Sequence, residues 1–129
     1  MVENQEERIN ASETHSFKTI FTSQTNHHNT LFGGAALAIM DDVAFVTATR
    51  FCRQRFVTVS TDKVSFEKPI PNSSIIEAIG RVDHVGNSSI SIKVVIFVEE
   101  MYSTKREKAI EGIFKMVAVD ENGHSTKIV

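Results

Sequence analysis

Tryptophan is absent and tyrosine occurs once, so nine phenylalanines carry nearly all the aromatic bulk. One cysteine, Cys52, leaves no room for an internal disulfide framework and fits a reducing compartment. It has no surrounding motif and reads as a buried thiol rather than a nucleophile. Two prolines, Pro69 and Pro71, are the only strong chain breakers. No apolar run approaches the roughly 18 residues of a membrane span, and Met1 to Glu13 lacks the basic-then-apolar plan of a signal peptide. Excess charge of one sign is missing too. Fourteen Lys and Arg face sixteen Asp and Glu, a formal net charge of −2, which argues against a nucleic-acid partner. These absences point to a cytoplasmic protein. A length of 129 residues with 41% hydrophobic content suffices for one domain with its own core.

The order of elements is readable from periodicity. Residues 1–14 are polar and acidic and predict a flexible segment; residues 15–129 predict a single domain. Ser16 to Ser23, with Phe17, Ile20 and Phe21, predicts a first strand, and 25–32 a loop. Gly33 to about Cys52 predicts a helix that is apolar on almost every side, hence a buried one. Phe56 to Phe66, Ile75 to Val85, Ser88 to Met101 and Ala109 to Val119 predict four further strands. In the third of these four, Ile90, Ile92, Val94, Ile96 and Val98 alternate strictly. Short connections such as Gly86-Asn87 join consecutive strands as antiparallel neighbours. One long helix packed on a curled antiparallel sheet gives an α+β fold of the hotdog type. The free edge of such a sheet calls for a second copy, so a homo-oligomer, at least a dimer, is expected.

The densest chemical signal runs from Asn26 through His27, His28, Asn29 and Phe32 to Gly33-Gly34, and on to Asp41-Asp42. Glycines opening a helix permit close approach to its unpaired N–H groups, which stabilise developing negative charge. A carboxylate further along handles a proton. These are parts for transferring an acyl group to water. Asp41 and Asp42 both lie among apolar i±3 and i±4 neighbours, where a carboxylate is costly without partners, so periodicity does not choose between them. Adjacent His27 and His28, without further ligands at suitable spacing, make a poor metal site, and no metal or other cofactor is expected. Gly86-Asn87-Ser88-Ser89 offers backbone N–H groups and hydroxyls to a phosphate-bearing ligand, and equally reads as a plain hairpin turn. Arg53, Arg55, Lys68, Arg81 and Lys93 are the basic candidates for phosphates, and His84 reads as a structural turn residue.

The stretch Asn26 to Asp41 resembles the hotdog-fold acyl-CoA thioesterases, and among them the bacterial cytosolic and the brain-type acyl-CoA hydrolases. The elements that carry the likeness are Asn26 ahead of Phe32-Gly33-Gly34, then Met40-Asp41-Asp42-Val43-Ala44. Val57 to Phe66 with Lys68-Pro69-Ile70, and His84 to Ser89, extend it. The resemblance implies an acyl-CoA thioester hydrolase, commonly a hexamer built as a trimer of dimers. It implies Asp41 as general base or nucleophile, Asn26 as the amide that places water or thioester, and Gly33 or Gly34 N–H as the group polarising the carbonyl. It also implies a role near CoA for Gly86, Asn87, Ser88 and Ser89, with Arg55 and Arg81 as basic partners. Relatives often carry glycine where Asn29 stands, and asparagine tolerates the positive φ this suggests. The rivals are a non-catalytic acyl-CoA sensor, whose attached DNA-binding module residues 1–14 are too short to form, and a hotdog hydratase or dehydratase. The latter needs a catalytic histidine paired with an acid, and no Asp followed five residues later by His occurs.

Overall fold

The computed structural model describes residues 4–21 and 25–129. Its elements are α1 (Gln5–Ser12), β1 (Thr14–Ile20), α2 (Gly33–Phe51), β2 (Arg55–Phe66), β3 (Ser74–Val85), β4 (Ser89–Glu100) and β5 (Arg106–Val119). The strands form one sheet in the order β1-β3-β4-β5-β2, every neighbouring pair antiparallel. Helix α2 lies across its inner face. This is the α+β hotdog architecture expected from the sequence.

The core follows from alternation. Ile90, Ile92, Val94 and Ile96 of β4 face the helix, with Ile76 and Ala78 from β3 and Phe114 and Met116 from β5, all buried. Helix α2 meets them with Ala36, Met40, Val43, Ala44, Thr47 and Ala48. Each large aliphatic side chain buried there stabilises the fold by roughly 1.5–3 kcal/mol. The Ala-rich stretch after Gly34 has high helix propensity, and the Cys52 N–H closes the last turn on the Ala48 carbonyl at 3.0 Å.

Gly80 lets α2 sit this close to β3. A Cβ at that position would stand 2.4 Å from Thr47 Oγ1 and 2.9 Å from Val43 Cγ1. Gly80→Ala should therefore destabilise the protein by about 1–3 kcal/mol through overpacking, read as a lower urea midpoint at fixed protein concentration. An unchanged midpoint would mean that the crossing is looser than the geometry requires.

Three expectations change. The N-terminal segment expected to be flexible carries α1, apart from residues 1–3, which lie outside the described residues. Asn4 caps α1 by accepting from Glu7 N at 2.8 Å, and Glu6 and Glu7 sit in its first turn, where the helix dipole favours them. Arg8 donates to the carbonyls of Phe51 and Val129, while Arg50 donates to those of Ala11 and Glu13. These polar bonds, with Ile9 packed against the core, hold a helix that has no apolar stripe. The first strand begins earlier than its own pattern suggests, because its register is set by β3, Thr14 opposite Gly80 and Ile20 opposite Ser74. Residues 22 and 23 of the expected strand lie outside the described residues. Finally, α2 is not covered all round in the single chain. Gly34, Ala38, Asp42 and Phe45 form an exposed stripe, beside an edge strand β2 that exposes Val57 and Val59. An uncovered apolar helix stripe beside an open edge is what a second copy would bury.

Candidate active site

The loop before α2 is built around one side chain. Asn26 Oδ1 accepts from His28 N at 2.9 Å, Thr30 N at 3.2 Å and Thr30 Oγ1 at 3.1 Å. Asn29 takes a φ of 63°, the left-handed conformation that its place in the turn required. The carbonyl end of the Asn26 amide is thus spent on the turn, and its N–H end has no hydrogen-bond partner among the described residues. His27 and His28 are exposed and their rings touch at a tilt of 43°, centroids 3.9 Å apart. Among the described residues, no group of three or more His, Cys, Asp or Glu is placed to hold a metal ion.

Phe32 then caps α2 with extended backbone and no side-chain hydrogen bond. The first free N–H groups, at Gly33 and Gly34, therefore meet no capping side chain, and the dipole makes this end electropositive. Two phenyl rings flank it. A Cβ on Gly33 would lie 4.0 Å from the Phe66 ring, and one on Gly34 would lie 2.9 Å from the Phe32 ring. Next to Gly33 opens a cavity of about 310 Å³ that Phe66 and Ile70 also line.

Asp41 lies on the flank of α2 toward the edge strand, half-buried, and its Oδ1 accepts from Thr58 Oγ1 at 2.7 Å. Asp42, one residue on, points to the exposed stripe, and no hydrogen bond or ion pair holds it among the described residues. The structure thereby separates two carboxylates that periodicity left equivalent. Thr58 is the residue that sequence reasoning missed. Its signal was present: Phe56 faces the core, so two residues on Thr58 must face the helix.

The proposed CoA contacts are scattered. The Gly86–Ser89 turn joins β3 to β4 at the end of the sheet remote from Gly33 within one chain, since β3 starts beside the Thr30–Pro71 bridge and runs away from it. Gly86 N donates to Ser89 O at 2.7 Å, and the carbonyls of Asn87 and Ser88 are taken by Ile128 N and Ala118 N. That leaves the N–H groups of Asn87 and Ser88 and the exposed Asn87 side chain. Arg55 starts β2 opposite Val119 at this same end and makes no ion pair among the described residues. Arg81 lies on the outer sheet face, bonded to Glu13 at 3.1 Å and to Asn10 at 2.9 Å, so its guanidinium ties β3 to α1 and the residue that follows it. Lys93 pairs with Glu111 at 3.5 Å.

The shifted titrations also lie on that outer face. His15 is gripped by Glu77 at 2.7 Å and Glu13 at 2.7 Å, and these hydrogen bonds, the one to Glu77 foremost, raise its pKa. Burial pushes the Glu77 carboxyl upward, but hydrogen bonds from His15 and Arg106 more than offset it and leave it lowered. Glu13 is lowered chiefly by His15. Arg106 continues the chain to Glu99 at 2.5 Å. The network ties β1, β3, β4 and β5 together and has no part in the site around Gly33.

Comparison with known proteins matches the model of the thioesterase superfamily to residues 28–105. An uncharacterised acyl-CoA thioester hydrolase of Bacillus subtilis is 39% identical over 104 residues, which is 81% of this chain and 60% of that protein. The chain thus spans about three fifths of that relative's length. An acyl-CoA hydrolase from Staphylococcus aureus, solved with butyryl-CoA, CoA and CoA disulfide, superposes with a TM-score of 0.88 at 32% identity, covering 93% of this chain and 73% of that one. Aspartate, threonine and asparagine to alanine variants of that enzyme are among the similar structures. A hexameric, broad-specificity acyl-CoA thioesterase superposes with a TM-score of 0.80 at 32% identity, covering 88% of this chain and 79% of that one. Fold, family model and relatives agree, and the chain belongs to the thioesterase superfamily, in its hotdog fold.

Proposed function

We propose that this protein hydrolyses the thioester of acyl-CoA to the free acid and CoA. The observation that carries the reading is the Asp41–Thr58 pair at 2.7 Å, taken with Asn26. The three residues substituted in the Staphylococcus aureus hydrolase are an asparagine, an aspartate and a threonine, spaced along that chain as Asn26, Asp41 and Thr58 are along this one. That enzyme's complexes with butyryl-CoA and CoA support the substrate class.

Elementary geometry makes the site a shared one. Gly34 and Asp41 are seven residues apart, a rise of about 10 Å along the helix. The free N–H groups point out of the helix start, away from Asp41. A base must reach its water at about 3 Å, and the water must reach the carbonyl at about the same range. Asp41 therefore cannot serve a carbonyl held by Gly33 or Gly34 of its own chain. Pairing two β2 edges about a two-fold axis runs them antiparallel and brings the helix start of one copy toward the α2 flank of the other. Each reaction centre then combines Asn26, Gly33 and Gly34 from one copy with Asp41 and Thr58 from its mate.

In that centre the thioester oxygen accepts from the helix-start N–H groups. Thr58 fixes one oxygen of Asp41 and leaves the other for water. Asp41 takes the water's proton as the water oxygen bonds to the carbonyl carbon. The C–S bond then breaks, CoA leaves as the thiolate and a proton is returned to it. One such oxyanion donor is worth about 10²–10³ in rate, and general base catalysis about 10²–10⁴. Direct attack by Asp41 through a mixed anhydride would use the same residues. The sensor and hydratase rivals are not favoured, since α2 carries no histidine and the similar proteins are named as hydrolases.

The assembly we propose is a homo-oligomer of at least two copies and most simply a hexamer, built as a trimer of dimers; that a neighbour is hexameric supports this number of copies. No helix among the described residues is long and apolar enough to cross a membrane, and we place the protein in the cytoplasm. Phosphates of CoA are assigned to the Gly86–Ser89 turn with Arg55. No metal is required, because N–H groups polarise the carbonyl and Asp41 handles the proton. Free-thiol release from a panel of acyl-CoAs, before and after EDTA, tests this reading. Turnover on the panel that survives chelation is the expected result. Failure to hydrolyse any member refutes it, and loss restored by zinc or manganese would put His27 or His28 on a metal.

A further inference from the structure

We infer that the cavity beside Gly33 receives the acyl group, and that Phe66 selects which acyl groups fit. This rests on the thioesterase reading above and names the substrate class within it. The cavity, about 310 Å³, is lined by Leu31, Gly33, Phe66, Pro69, Ile70 and Ile110 among others. Leu31, Ile70 and Ile110 are buried and form its floor. A thioester carbonyl held at the Gly33 N–H has two substituents, the acyl chain and the pantetheine arm, and only one can turn into this space.

Hydrogen bonding decides which. A buried pantetheine amide needs donors and acceptors. Apart from the Gly33 N–H that holds the carbonyl, three backbone donors of these walls are already committed. Leu31 N donates to Ile70 O at 2.7 Å, Glu67 N to Ala109 O at 2.7 Å, and Lys68 N to Ala109 O at 3.1 Å. Thr30, Glu67 and Lys68 stand among the lining residues, with Glu67 and Lys68 exposed, but against the floor of Leu31, Ile70 and Ile110 an amide would lose its water and gain little, whereas a hydrocarbon chain loses nothing. Past Lys68 and Pro69 the surface opens into a groove where Glu99, Glu100 and Glu107 outnumber Lys68 and Lys105, so its charge does not draw the phosphates of CoA that way. The acyl group is thus the occupant that the chemistry of the walls accepts.

Phe66 is placed to control it. The residue follows a break in the β2–β5 register between Asp62 and Ser65, with Lys63 at a φ of 53°. Its ring lies across from Gly33 yet is 55% exposed, so it forms a wall that the fold does not depend on. With a chain methylene taken at roughly the 30 Å³ of a liquid water, the cavity holds about ten heavy atoms. Each methylene that enters should raise kcat/KM by about fourfold, up to that length.

The test is the dependence of kcat/KM on chain length, acetyl- to palmitoyl-CoA, for the intact oligomer and for Phe66→Ala, Phe66→Leu and Phe66→Trp. Light scattering checks assembly in each, and Phe66→Leu covers the case in which alanine disturbs it. The wild type should peak near the length that fills the cavity. Phe66→Ala should raise the dodecanoyl-to-butyryl ratio by about tenfold, and Phe66→Trp should lower it comparably. Inhibition by free CoA should stay unchanged in all. Identical chain-length profiles in active variants would overturn the assignment, as would altered CoA inhibition with an unaltered profile, which would give the cavity to pantetheine. A wild type inactive on every acyl-CoA would instead remove the thioesterase reading, and this inference with it.

Discussion

Asp41→Asn is expected to lower kcat by about 10² or more while leaving KM nearly unchanged. The substitution is nearly isosteric. An asparagine Oδ1 still accepts from Thr58 Oγ1, now at 2.7 Å from Asp41, so the helix and edge strand should keep their places. What disappears is the group that takes the water's proton, which matters in the transition state and little in the ground state. Asp42→Asn is the matched control. Asp42 carries the same charge one residue away and has no hydrogen-bond partner among the described residues, so its loss should cost much less. Equal losses, or a larger loss at Asp42, would overturn the assignment of the base. Thermal melting of both variants separates a chemical effect from a folding one.

How much of this was legible in the sequence depended on what each segment's neighbours supply. The strict alternation from Ile90 to Val98 fixed β4 because that strand is central and its inner face is wholly aliphatic. Helix α2 was legible from its glycine opening and apolar run. Its open stripe was not, because periodicity reports hydrophobicity and not whether a neighbour covers it. Helix α1 was misread because its hydrogen bonds come from Arg8 and Arg50, which pattern analysis counts only as charge. The order β1-β3-β4-β5-β2 was equally hidden. It places β2 at an edge beside the flank of α2, and that placement makes Asp41 half-buried and gives it Thr58.

The site shows the same division. Asn26, Gly33, Gly34 and Asp41 are legible in the sequence by residue type and by resemblance. So is the helical rise between Gly34 and Asp41, on which the proposal of a shared site rests. The sequence did not hold the edge position of β2, which shows where a mate would dock. Arg81 shows what pattern alone does not report: a basic residue in a strand whose partners, Glu13 and Asn10, come from α1 and its end.

The claim at the centre of this account is that each reaction centre draws on two copies. Mixing two inactivated variants tests it most directly. Asp41→Asn keeps the helix-start half intact, and Asn26→Ala keeps the carboxylate half. Asn26→Ala opens no core cavity but removes the acceptor of three hydrogen bonds in the loop before α2, so it disables the helix-start half of its own copy, and each variant alone should retain little activity. In a mixed dimer, one centre receives Asn26 from the first variant and Asp41 from the second and is whole, while the other centre lacks both. After selection on both tags this should restore about a quarter of wild-type turnover in a hexamer of randomly paired dimers, and about half in a simple dimer. The measurement is free-thiol release by mixed oligomers, made by co-expressing the two variants with different affinity tags and purifying on both. Recovery to that level is the result this account predicts. Mixed oligomers no more active than the separate variants would contradict it, and would return the complete site to a single chain.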